Sequence, residues 1–341
     1  MLLTSIKSKL RFIRNKLKRK ISFGISASKL RKLDDRVIKN SCGELRLFVM
    51  ARNESLRLPY FFDYYFGKGV DRVFFIDNGS TDNSIEIALS YDNVHVFQTK
   101  ESFKNYSNWM EILLDRYGNG YWCIAADVDE ILTFPYYESI SIKQFCQFLE
   151  QEGDAALQCL FLDMYSDKPI SNNTYKPGEN PLDVCPFFDP SYGEENKIWM
   201  NPKHQKKFNC TRFFGNMRQR VFGLDNISLS KISLFKYDKA KVFAGRGMHA
   251  MDGVKFSPAR GVTMHFKYLQ DFNSRVVSEA VRGEHEGNAI DYKSYAKKVE
   301  EDADLNCYFE DSVKFTNSAK LIELGLMKSS VALDEFVKQH N

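Results

Sequence analysis

Three carboxylates close the apolar run Tyr121-Trp122-Cys123-Ile124-Ala125-Ala126-Asp127-Val128-Asp129-Glu130. A short continuous apolar run reads as a buried strand, and in open α/β sheets ligands gather just beyond the carboxyl ends of such strands. Asp127 and Asp129 are two residues apart, so in an extended stretch they face one side and Val128 the other. Two hard oxygen ligands converging on one point suit Mg2+ or Mn2+, which take one or two carboxylates and fill their shell with water and substrate phosphate. The expected chemistry is therefore chemistry on a diphosphate. Asp77 and Asp163 also close apolar runs, Val73–Ile76 and Phe161-Leu162. Plainer roles are open to the same residues: Asp77 and Asp82 as helix caps, Glu130 as a salt-bridge partner, His265 as a satisfied core histidine, and Lys231 and Arg220 as solvated charges.

Positioning such groups requires a sheet. From about Leu45 the chain alternates strand-like and helix-like pieces, which predicts an α/β fold with a mostly parallel, Rossmann-like sheet flanked by helices. Strands are expected at 45–50, 73–76, 94–97 and 121–126, with helices to about Lys68, to about Ser90, and from about Asn108 to Tyr117. The polar turn at 51–54 and the segment Asn78-Gly79-Ser80-Thr81-Asp82-Asn83 are rich in residues that cap helices or accept positive φ. From 163 to 210 the prolines at 169, 177, 181, 186, 190 and 202 predict a long irregular region over or beside the site. Short strand-like pieces follow over 211–270, then charged helix over 273–305 and one or two terminal helices from Ser318. Four regions are expected: a basic arm at 1–40, a nucleotide-binding half at 41–150, an irregular acceptor-side half at 151–300 and a helical tail at 301–341.

Charge is divided unevenly over the 341 residues. Residues 1–40 hold 13 Lys and Arg against 2 Asp, a net +11, leaving 35 basic and 42 acidic residues, a net −7, for the rest. Leu3, Ile6, Leu10, Ile13 and Leu17 form a helical apolar stripe amid Lys7, Lys9, Arg11, Arg14, Lys16, Lys18, Arg19 and Lys20. A basic amphipathic helix of this kind suits an anionic membrane surface, where each cation contributes about 1 kcal/mol. Packing on the body or on a partner is the simpler alternative. The arm lacks the interleaved aromatics of a nucleic-acid surface. No run reaches the roughly 18 apolar residues of a spanning helix, and Arg and Lys interrupt every candidate signal-peptide core. Seven scattered cysteines with no C-x-x-C pair read as reduced thiols in a cytoplasmic protein, and argue against zinc.

The motifs together resemble a glycosyltransferase of the GT-A fold, family 2 type. Arg52-Asn53-Glu54, Asp77-Asn78-Gly79-Ser80-Thr81-Asp82-Asn83-Ser84 and Asp127-Val128-Asp129-Glu130 look like its nucleotide-sugar half. Arg218-Gln219-Arg220-Val221-Phe222-Gly223, Leu229-Ser230-Lys231-Ile232 and His265-Phe266-Lys267-Tyr268-Leu269 are similar to the bacterial branch related to family 92. The resemblance covers about residues 45–295. It implies that Asp77 accepts hydrogen bonds from the base or ribose of a UDP-linked or similar donor, with the backbone around Arg52, Asn53 and Glu54 walling the nucleotide. Asp127 would lie near ribose and metal, Asp129 would bind a Mn2+ or Mg2+ bridging the diphosphate, and His265 would complete the metal shell. His249, in the Gly245–His249 turn, is the rival late histidine. Arg218, Arg220 or Lys231 would lie near phosphate.

Sugar transfer needs stabilisation of the departing diphosphate and removal of a proton from the acceptor hydroxyl. Asp163 and then Glu194 are the expected bases, with Asp189 and Glu195 further candidates. The resulting expectation is an inverting, metal-dependent glycosyltransferase on the inner face of the membrane, acting on a glycan or lipid-linked acceptor in cell-surface polysaccharide synthesis. A sugar-phosphate nucleotidyltransferase and a non-catalytic binding protein of the same fold are the alternatives.

Overall fold

Alternation of apolar strands with half-apolar helices closes nearly the whole chain around one sheet. The computed structural model describes residues 2–201, 206–240, 242–244 and 248–340. Pro202, Gly245, Arg246 and Gly247 lie outside the described residues, as do the side chains of Leu3, Ile6, Lys7, Lys9, Leu10, Arg11 and Lys16.

Helix α1 (Leu2–Lys29) and the short β1 (Arg31–Lys32) precede the alternating stretch. That stretch is β2 (Leu45–Ala51), α2 (Leu58–Gly67), β3 (Arg72–Asp77), α3 (Ser84–Ser90), β4 (Val94–Gln98), α4 (Tyr106–Leu113) and β5 (Trp122–Asp127). A tight turn at 128–129 leads to β6 (Glu130–Thr133), then α5 (Ile142–Gln151) and β7 (Ala156–Asp163). The second half adds β8 (Phe187–Phe188), β9 (Gly193–Met200), β10 (Lys207–Phe214), α6 (Met217–Phe222), β11 (Ser230–Lys236), β12 (Val242–Ala244), β13 (Ala250–Asp252) and β14 (Phe256–His265). It ends with α7 (Phe272–Arg282), α8 (Glu286–Glu301), β15 (Val313–Lys314), α9 (Ser318–Glu323) and α10 (Val331–His340).

The sheet has nine strands in the order β1-β4-β3-β2-β5-β11-β7-β14-β6. The pairs β4–β3, β3–β2, β2–β5 and β7–β14 are parallel, whereas β11 runs antiparallel between β5 and β7. Six strands therefore point the same way, and β2, β3, β5, β7 and β14 deliver Ala51, Asp77, Asp127, Asp163 and His265 to one edge. One sheet takes strands from both sides of residue 150.

β2 and β5 are buried along almost their whole length, which is why they read as unbroken apolar runs rather than alternating ones. One face packs against α2, α3, α5, α9 and α10 through Phe61, Phe62, Phe145, Leu321 and Phe336. The other packs against α4 through Trp109 and Leu113, with Phe23 and Ala27 of α1 joining the same cluster. Helices α6, α7 and α8 share a third cluster around Phe222, Phe272 and Tyr295, with the residues that follow α8. Ser141 and Gln144 close a reciprocal capping box at the start of α5, an arrangement in which losing the cap costs about 1 kcal/mol.

Two sequence expectations are corrected. The region 163–210 is not irregular throughout, because β9 and β10 pair over eight residues each in an antiparallel hairpin, and Glu194 and Glu195 belong to that strand rather than to a loop. The basic arm does not end at residue 40. Asn108 donates to Ser22 and Ser26, Leu30 is buried, β1 pairs with β4, and Arg36 donates to the carbonyls of Leu89, Tyr91 and Val94. From about Ser22 the arm is anchored to the body through these contacts. Ile13, Leu17, Ile21 and Ile25 instead face outward at 60, 59, 55 and 46% exposure. Among the described residues no helix is long and apolar enough to cross a membrane. All seven cysteines are free, six of them buried and Cys42 exposed.

Candidate active site

The parallel pair β7–β14 places Asp163 beside His265, so both side chains emerge at the carboxyl edge of the sheet. Asp163 is fully buried and its Oδ1 accepts from His265 Nδ1 at 2.6 Å. Arg218, at the start of α6, donates Nε and Nη2 to the same carboxylate at 2.7 and 2.8 Å. Burial opposes ionisation of Asp163, but Arg218 and then His265 hold its carboxyl down to about 2. A carboxylate only accepts, so the proton between them sits on His265 Nδ1. His265 Nε2 then points at Asp129 Oδ2, 3.1 Å away. Burial works against the Asp129 charge as well, yet His265, followed by Lys267 and Arg275, keeps the carboxyl well below the ordinary range. The backbone locks this contact, because Phe266 N donates to the Asp129 carbonyl at 2.8 Å.

Asp127 goes elsewhere. The turn at 128–129 sends β6 to the far side of β14, so 127 and 129 do not share an extended strand and do not converge. The Asp127 carboxylate is about half exposed and meets Lys231 Nζ at 3.5 Å, whereas buried Glu130 meets the same ammonium at 2.6 Å. Glu130 also accepts from the Asp127 backbone N–H at 3.0 Å. Desolvation works against the Lys231 charge, but Glu130 and Asp127 raise it above the usual lysine value.

These groups, Asp163 excepted, line a cavity of about 300 Å3. Its walls are Ala51, Arg52 and Glu54 after β2, Phe103 and Tyr106 before and within α4, Phe161 on β7, and Ile227, Ser228, Met248 and His249 on the β11–β13 side. Lys267, Arg275, Arg282, His285 and Tyr292 complete the lining from α7, α8 and the segments before each. Glu54 is paired with both Arg57 and Arg275, and Arg57 donates twice to Asp271 at 2.7 Å, which fastens the turn after β2 to the start of α7. Arg282 bonds Asn78 at 2.9 Å and Glu284 at 2.6 Å.

The cavity thus gathers Arg52, Glu54, Asp127, Asp129, Arg218, Lys231 and His265. Five expected site residues lie outside its lining. Asp77 is fully buried, and its carboxylate is taken by the N–H groups of Gly79 and Ser80 and by the Gln98 amide, so it shapes its own turn and offers nothing to a ligand. Asn53, at φ 55°, receives the Thr81 N–H and gives its own N–H to Ser80, tying two turns together. Arg220 holds Asp189 and the Cys307 carbonyl. Glu194 pairs with Arg260 on the β9–β10 hairpin at 3.2 Å. Asp163 borders the site but is corrected as a base: a fully buried carboxylate committed to Arg218 and His265 orients the histidine instead. The α7 cations Arg275 and Arg282 escaped sequence reading because a charged helix reads the same whether its charges face solvent or a cavity. The Lys267 that follows His265-Phe266 was the one local hint.

The residues present partly fit a divalent cation. Among the described residues no three His, Cys, Asp or Glu form a group that could hold one, so the expected shell of Asp127, Asp129 and His265 is not assembled. Two of the three do meet. In the neutral ring His265 Nε2 presents a lone pair to Asp129 Oδ2, two acceptors 3.1 Å apart. Adjacent ligands of an octahedral ion with bonds of about 2.1 Å stand about 3.0 Å apart. A ligating histidine also commonly gives its other N–H to a carboxylate, which is what Asp163 receives.

No protein-family profile matches the chain. No curated protein matches it either. Solved structures match in part: 4-diphosphocytidyl-2C-methyl-D-erythritol synthase at 11% identity and TM-score 0.25, over 38% of this chain and 64% of that one. The enzyme of the same description from Anaerococcus prevotii matches at 12% and 0.24, over 37% and 58%. The chain spans less than two thirds of the length of either.

Proposed function

We propose that this protein is a metal-dependent glycosyltransferase that moves a sugar from a nucleotide-sugar donor, UDP-linked by its resemblance, to a glycan or lipid-linked acceptor with inversion. The reading rests on one observation above others: the Arg218–Asp163–His265–Asp129 chain, which aims an imidazole lone pair and a carboxylate into a cavity at the carboxyl ends of the strands. When bound, Mn2+ or Mg2+ on Asp129 and His265 would stabilise charge on the departing diphosphate. Ala51 and Arg52 wall the nucleotide side, where open α/β sheets bind such ligands. Lys267 and Arg275, held over the cavity by Tyr292 and Glu54, face the diphosphate. Lys231 and Glu130 fix the position of Asp127. The outward isoleucine and leucine face of α1, with Arg14, Lys18 and Lys20 on the same helix, attaches the enzyme to the anionic inner face of the membrane.

A panel of nucleotide sugars, with and without Mn2+, tests the reading through released nucleoside diphosphate. Metal-dependent release from one donor supports it. Pyrophosphate released from a nucleoside triphosphate and a sugar phosphate would replace it with nucleotidyl transfer.

A further inference from the structure

His249 stands opposite the Asp129–His265 pair in chemical character. Its Nδ1 lies 2.7 Å from the Ser230 carbonyl oxygen. A carbonyl only accepts, so Nδ1 carries the proton and Nε2 carries the lone pair. The ring lines the cavity together with Met248, Ser228, Ile227, Phe161 and Lys231. The backbone holds it there: Ile232 N donates to the Met248 carbonyl at 2.9 Å, and Met248 itself sits at φ 59°. A left-handed conformation at a buried, non-glycine residue costs of order 1–3 kcal/mol and persists where surroundings over-determine it, as they do at functional sites. Ser228 also lines this end of the cavity, and its buried Oγ has no partner among the described residues.

Several other proton acceptors on the wall are engaged, while Asp127 meets Lys231 only at 3.5 Å and Glu286 and Asp291 also line the cavity. Glu54 is held by Arg57 and Arg275, Glu130 by Lys231, and Glu279 by Arg282 and His285, while Asp129 faces His265 Nε2 on the proposed metal side of the cavity. Glu284 is held by Arg282, and Asp163 by Arg218. Burial, and then the positive charge of Lys231, push the His249 ring down to about 4, which keeps it neutral at neutral pH.

We infer that His249 is the catalytic base of this site and that Ile227, Ser228 and Met248 beside it form the acceptor subsite for a sugar hydroxyl. The inference rests on the glycosyl-transfer reading. The acceptor O–H gives its proton to His249 Nε2 while its oxygen bonds to the anomeric carbon. The bond from that carbon to the donor phosphate breaks, and its electron pair leaves on the nucleoside diphosphate. The imidazolium afterwards returns its proton to water.

His249→Asn tests this, because the Asn amide preserves the donation to Ser230 and removes the lone pair. Turnover is read as nucleoside diphosphate released from the panel donor with a set of methyl glycosides as acceptors, and UDP with Mn2+ serves as the binding probe. The expected result is UDP affinity within about twofold of wild type and kcat lower by about 10²- to 10⁴-fold, the usual contribution of a positioned base. A kcat within about threefold of wild type overturns the inference and leaves the glycosyl-transfer reading standing. A wild type that releases nothing from any donor removes both. Nitrogen NMR of histidine-labelled wild type gives a check that needs no variant: Nδ1–H with bare Nε2 is expected for His249 at neutral pH, and the opposite tautomer overturns the assignment.

Discussion

Two histidines differ at the residue scale, and the hydrogen bonds behind the rings decide which nitrogen of each carries the proton. Asp163 accepts a hydrogen bond from His265 Nδ1–H and leaves Nε2 facing a carboxylate, whereas the Ser230 carbonyl accepts one from His249 Nδ1–H and leaves the His249 Nε2 lone pair free of that bond. Replacing Asp163 by Asn keeps its shape but strands the Arg218 charge. Breaking a buried pair in this way costs about 3–5 kcal/mol, so urea unfolding of Asp163→Asn should show a loss of that order, and any stabilisation of the folded protein by Mn2+ should weaken with it. An unchanged unfolding midpoint would mean that the triad is not held as described. His249 makes a pH prediction with a definite sign. Its value is about 4 in the folded state against an ordinary 6.5, so between those values the unfolded chain binds more protons and stability rises with pH. Lowering the pH from 6.5 to 4 should therefore cost the wild type up to about 3 kcal/mol that His249→Asn retains. A difference between the two proteins that is flat across this window would contradict the buried, neutral ring.

At the scale of elements, the early strands were legible because β2, β3 and β5 are buried on both faces, so their apolar runs appear in the sequence unmixed. The helices between them were legible from their turn chemistry at 51–54 and 78–83. The turn at Val128-Asp129 was not, because nothing in Asp-Val-Asp distinguishes a strand that continues from one that folds over to pair with β14, and that single turn decides where the carboxylates point. Asp77 misleads for a similar reason: a carboxylate ending a strand looks the same whether it meets a ligand or the N–H groups of its own turn. The basic arm shows the limit of periodicity, which marks an amphipathic helix but not the residue at which it docks. Ser22, Ser26 and Leu30 are anchored, whereas Ile13, Leu17 and Ile21 are not. Changing those three to Ser should therefore reduce flotation with anionic vesicles and leave the thermal midpoint unmoved. Equal flotation of variant and wild type would remove the membrane role of α1. A truncation at Ser41 is the wrong comparison, since it also deletes β1 and the Asp34 bonds to Val96 and His95.

The whole molecule converts sheet direction into a site. Six of nine strands run together, their carboxyl ends present Asp127, Asp163 and His265 along one edge, and β11 inserted between β5 and β7 brings Lys231 to the centre of that edge. Arg275 and Arg282 of α7, with Lys267 before it, bring cations over the resulting cavity, and α7 is fastened to the opposite wall through Arg57, Glu54 and Arg275. This assembly, drawn from residues more than 200 apart, is what no local pattern announces, and it is why the Asp129–His265 pair and the cation roof emerge only with the fold. The central claim is that Asp129 and His265 hold a cation that activates a nucleotide-sugar donor. The most direct test is nucleoside diphosphate release across a nucleotide-sugar panel, with and without Mn2+, for wild type and Asp129→Ala. Release from one donor that requires Mn2+ and disappears in the variant is the predicted result. Release that is indifferent to Mn2+, or that survives in Asp129→Ala, would contradict it.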